Sequence, residues 1–80
     1  MPTPLPRERR CLAIAIRELR ARQRLTQEQV AEAAGLGHNY ISDLESGRTR
    51  PAFESVVLIA RGLGVPLTEV VRVFEERLAD

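Results

Sequence analysis

Eighty residues suffice for one small domain, and 44% hydrophobic against 29% charged residues is the balance of a folded chain, not a disordered one. A single cysteine excludes an internal disulfide, and with one histidine it gives too few ligands for a structural zinc site. The net charge of +1 hides an uneven spread: seven Arg and two Glu in residues 1–24, four acids and no base in 25–46, two Arg in 47–52, three Arg and five acids in 53–80.

No apolar run approaches the roughly 18 residues of a membrane span. The apolar run from Cys11 to Ile16 is short and flanked by arginines, which does not read as a signal peptide. The expected location is therefore the cytoplasm, with no membrane partner and no cofactor. Tyr40, Phe53 and Phe74 are the whole aromatic set, so the core must be aliphatic.

The chain opens on "MPTPLP", with proline at 2, 4 and 6. Proline fixes φ and removes backbone donors, so residues 1–6 are expected to form a flexible arm, either reaching toward a groove or simply fraying. Residues 7–22 read as a helix: Leu12, Ile16 and Leu19 recur at i, i+4, i+7, and arginines 7, 10, 17 and 24 spread over the polar side. Cys11 lies in this apolar run and is expected to be a buried, inert thiol.

The second helix has a clear start. Thr26 is a good N-cap and Gln29, three residues on, completes a capping box. Val30, Ala31 and Ala34 form its apolar face, and the small Ala31 allows another helix close. "GLG" then breaks the chain. Gly35 suits the left-handed position after a helix, Leu36 can fold inward, and Gly37 stands where the next N-cap belongs. The third helix is expected over residues 38–46, with Ile41 and Leu44 inward, Tyr40 or Glu45 at the margin, and Gly47 as its stop.

"RTRP" follows as a basic loop in which Pro51 keeps Arg50 out of helical geometry. A fourth helix is expected over residues 53–63, with Phe53, Val56, Ile59, Ala60 and Leu63 inward. Gly62 inside it costs about 1 kcal/mol relative to Ala. Gly64 and Pro66 end it. A fifth helix is expected over residues 67–78. With no convincing strand, the fold class is all-α.

The spacing from Leu25 to Gly47 makes a helix-turn-helix unit: a helix, a short glycine-containing turn, and a second helix at a steep angle. In such a unit the second helix enters the DNA major groove, about 12 Å wide, and side chains near its N-terminus reach base edges. Here those are His38, Asn39, Ser42 and Asp43. All are polar, and none is needed for the buried face.

"LTQEQVAEAAGL", "YISDLESGRTRP" and "LIARGLGVPLTEV", together with "IRELR", resemble the Cro/lambda-repressor-type helix-turn-helix family, also called the xenobiotic-response-element family. The resemblance covers roughly residues 12–71. It implies a five-helix, lambda-repressor-like domain over residues 7–80, with the helix-turn-helix at helices 2 and 3, that binds double-stranded operator DNA as a homodimer and regulates transcription. By the same resemblance Gln27 holds a DNA phosphate, which suits a helix N-terminus with free N–H groups. His38, Asn39, Ser42 and Asp43 match the base-reading positions, and Tyr40 is counted with them as a DNA-binding residue. Arg48 and Arg50 lie where the family contacts the backbone. Arg20 and Glu45 match a pair that forms a buried ion pair between the first and third helices in several members.

Three positions depart from the family pattern. Gly37 and Ala52 replace Ser or Thr caps, at a modest cost in stability. Asp43 places a carboxylate near phosphates, where it either accepts from a cytosine amino group or suppresses non-specific binding. Asn39 is the candidate for a bidentate contact with adenine.

An 80-residue monomer has little interior for all the apolar side chains of helices 4 and 5. A two-fold interface including Val57, Leu58, Val70, Val73 and Phe74 is therefore expected. Two narrower readings within the same fold are an antitoxin, with a toxin as protein partner, and a controller protein of a restriction-modification system. A reading of a different class is a protein-interaction module without DNA binding. One His, one Cys and no clustered carboxylates offer no nucleophile–base pair, so an enzyme is not expected.

Overall fold

Pro6 begins the first helix, a place where its missing N–H costs nothing because that donor has no intrahelical acceptor. A computed structural model of the chain describes residues 5–80. Of the expected arm, residues 1–4 lie outside the described residues, and Leu5 is the N-cap residue of α1. Among the described residues the chain forms α1 (Pro6–Arg22), α2 (Gln27–Ala34), α3 (His38–Glu45), α4 (Phe53–Leu63) and α5 (Leu67–Ala79). No helix among them is long and apolar enough to cross a membrane.

The local signals act as their chemistry dictates. Thr26 Oγ1 accepts from the Gln29 backbone N–H at 3.0 Å, and the Gln29 side chain accepts from the Thr26 N–H at 2.8 Å. This capping box satisfies two donors that the helix start leaves free. At the other end of α2, Gly35 takes φ +72°, and the Leu36 N–H turns back to the Ala31 carbonyl at 2.9 Å. That closes the helix and sends the chain sharply into α3.

The core is aliphatic. Ile16, Leu19, Val30, Ile41, Leu44, Ile59, Leu63, Val70 and Val73 are buried in one cluster. Each such side chain stabilises the fold by about 1.5–3 kcal/mol relative to exposure. Helix α1 lies along α5, α2 packs on α4, and α3 rests on α2 and α1. Cys11 is buried, as the sequence suggests.

Helix α4 crosses α2 at Gly62. A Cβ there would stand 2.9 Å from the Val30 carbonyl oxygen and 3.2 Å from the Ala34 Cβ. The glycine that looks like a defect in the sequence therefore sits at a close helix–helix approach, with Ala34 opposite it.

Three apolar assignments are corrected. Phe53 is expected inward but is 71% exposed. It is the first residue of α4, and the inward face of that helix begins one turn later at Val56. Val70 and Val73 are expected at an interface between chains but are 0% exposed. Because α5 is packed by both α1 and α4, the face carrying these two valines lies inside the domain. They are core residues and offer nothing to a second chain. Val71, next to Val70, is 42% exposed.

Candidate nucleic-acid interface

At 100° per residue, Ile41, Leu44 and Glu45 form one buried arc of α3. The opposite arc is centred on Asn39, with Ser42 and His38 on one flank and Asp43 on the other. His38 and Asn39 are exposed, and Ser42 and Asp43 are partly so. The four polar residues selected from the sequence thus share the outer surface of α3. Tyr40 differs: it is half-buried against the core cluster and sits at the margin of this surface.

What holds α3 in place is a polar knot behind it. Arg20 of α1 grips Glu45 with two of the three nitrogens of its guanidinium: Nε donates to Oε2 at 2.6 Å and Nη2 to Oε1 at 2.9 Å. The remaining nitrogen, Nη1, donates to the Leu25 carbonyl at 2.9 Å. The hydrogen bond to Glu45 raises the Arg20 pKa above its ordinary value, more than partial burial lowers it. The guanidinium is therefore charged at every accessible pH. A planar fork meeting a carboxylate in this bidentate way fixes orientation as well as distance.

Gln27 joins the knot, which the sequence did not indicate. Its Nε2 donates to Glu45 Oε1 at 3.2 Å. The residue assigned to a phosphate is thereby tied to the ion pair that anchors α3, and α1, α2 and α3 meet at one buried carboxylate. Gln27 also lines an open hollow shared with Arg24, Glu28 and His38, where the starts of α2 and α3 converge.

Beyond α3, Gly47 at φ +77° turns the chain, and the Arg48 N–H donates to the Asp43 carbonyl at 2.9 Å. The Arg48 guanidinium then stands 3.6 Å from the Asp43 carboxylate. Asp43 is thus not an isolated negative charge. Both partners are largely exposed, so the pair adds little stability but partly neutralises each member. Arg50 is exposed and makes no ion pair among the described residues.

The described residues contain no group of three or more potential metal ligands.

Comparison with known proteins agrees with this geometry. A helix-turn-helix family model matches residues 16–70. The chain is 41% identical over 56 residues to the cryptic phage CTXphi transcriptional repressor RstR of Vibrio cholerae, a match covering 70% of this chain and 50% of that protein. The chain therefore spans about half the length of that relative. Its fold superposes on the restriction-modification controller protein C.Esp1396I with a TM-score of 0.87 at 23% identity, covering 91% of this chain and 96% of that one. It also superposes on the clp gene regulator ClgR from Corynebacterium glutamicum with a TM-score of 0.85 at 31% identity, covering 98% and 81% of the two chains. With a family model spanning the corner between α2 and α3, and that corner presenting a polar α3 surface, the chain belongs to the Cro/C1-type helix-turn-helix family, a family of DNA-binding transcriptional regulators and not of enzymes.

Proposed function

We propose that the protein is a sequence-specific transcriptional regulator that binds an inverted-repeat operator as a homodimer. The observation that carries this reading is the outer surface of α3, where His38, Asn39, Ser42 and Asp43 stand together on a helix locked from behind by Arg20, Glu45 and Gln27. A rigid helix with polar side chains near its N-terminus is what major-groove reading requires. Affinity comes from phosphate contacts by Gln27, Arg48 and Arg50, and specificity from the side chains of α3. Arg48 exchanges its Asp43 partner for phosphate on binding.

The contact between the two chains draws on the apolar side chains that remain partly exposed. Val57 and Leu58 on α4 and Phe74 on α5 keep that role, with exposed Phe53 and Val71 in place of the buried Val70 and Val73. The twofold axis sets two copies of α3 about one helical turn of DNA apart, roughly 34 Å.

Salt-dependent binding tests the reading. The purified protein is expected to bind duplex DNA with an affinity that falls steeply as salt rises. Arg50→Ala weakens it evenly across sequences and lowers the log–log salt slope by about 0.9. A protein with no salt-sensitive affinity for any duplex would favour an interaction module instead.

A further inference from the structure

Arg24 is the one residue other than glycine that takes a positive φ among the described residues, at +57°. It occupies the corner that ends α1, the kind of place that Gly35, Gly47 and Gly64 fill at the ends of α2, α3 and α4. The corner is closed without the Arg24 side chain: the Arg24 N–H donates to the Ala21 carbonyl and the Leu25 N–H to the Arg20 carbonyl, both at 3.1 Å, and the Arg20 side chain donates to the Leu25 carbonyl. Glycine satisfies that geometry without a Cβ penalty.

The side chain at this corner makes no polar contact among the described residues: Arg24 is exposed, and its guanidinium has no hydrogen-bond or ion-pair partner there. It does have a defined place. Arg24 lines the hollow that also contains Gln27 and His38, two of the residues assigned to DNA. Arg20 borders the same hollow but is consumed by Glu45 and the Leu25 carbonyl. Glu28 borders it too, without coming within ion-pair distance of Arg24. A free guanidinium is therefore set beside the proposed phosphate ligand Gln27, in a backbone position that stability alone would give to glycine.

We infer that Arg24 is a further DNA-backbone contact, taking a phosphate in the hollow it shares with Gln27. The inference rests on the DNA-binding reading above and extends its phosphate track from the start of α2 back to the end of α1.

Arg24→Gly separates contact from structure, because the two roles predict opposite signs. The substitution relieves the left-handed corner, so the thermal midpoint rises by a few degrees. Binding to a short random-sequence duplex weakens about 3- to 10-fold, and the log–log salt slope becomes shallower by about 0.9. Arg24→Lys retains the slope and most of the affinity. The inference is overturned if Arg24→Gly binds the same duplex with unchanged affinity and slope while the unsubstituted protein binds in a salt-dependent way. It is equally overturned if binding weakens only together with a lowered midpoint, which marks a structural role. Absence of salt-dependent binding by the unsubstituted protein removes the DNA-binding reading first, and this contact with it.

Discussion

Glu45 is the buried charged side chain of the described residues, at 4% exposure, and it is never alone. Two guanidinium nitrogens and the Gln27 amide give both of its oxygens a donor. Removing one partner of such a pair leaves the other charge stranded. Glu45→Ala is therefore expected to cost about 3–5 kcal/mol, measured by urea unfolding. The Arg20→Met/Glu45→Leu double variant is expected to recover most of that loss in stability. An equal loss from both variants would contradict the assignment. Asn39 is the converse case: exposed, and outside the core. Asn39→Ala should leave the melting curve unchanged and relax base preference at one position of each half-site by about 1–3 kcal/mol, read by gel shift on single-base operator variants. At this scale the exposure of the polar residues at the tip of α3 was readable, because it follows from their own chemistry. The Arg20–Glu45 pair was readable only through family resemblance. The bond from Gln27 to Glu45 was not readable, because it joins residues 18 positions apart through a crossing of helices.

Helix boundaries were the most legible feature at the level of elements. Thr26, Gln29, Gly35, Gly47 and Gly64 are chemical punctuation, and α4 has the ends expected of it. Helix faces were less legible. A helix packed by two neighbours buries an arc whose centre depends on both, so the sequence does not show that Val70 and Val73 face the core and not a second chain. Gly62 shows the same limit in another form. Helix propensity alone predicts that Gly62→Ala stabilises α4 by about 1 kcal/mol. The 2.9 Å approach to the Val30 carbonyl predicts the opposite. Forcing α4 away from α2 is expected to give a net loss of about 1–3 kcal/mol, measured by thermal or urea unfolding. A gain in stability would mean that the two helices separate freely.

At the scale of the whole molecule, two properties of one surface must be reconciled. The domain measures 35 × 23 × 18 Å along its principal axes and carries a single α3, so one chain has one such helix to offer. In the proposed dimer a twofold partner would supply the second α3, and the apolar side chains left outside the core would supply the contact. Specificity then depends on spacing between half-sites as well as on bases within each. Composition gave no hint of this, because a net charge of +1 conceals a basic α1 and loop beside an acidic α2 and α3. Selection of bound sequences from a random DNA pool, with the mass of the selected complex, tests the central claim most directly. The account predicts an inverted repeat with half-site centres roughly 34 Å apart, occupied by two chains. Enrichment of no sequence at all, or of a single unrepeated site holding one chain, would contradict it.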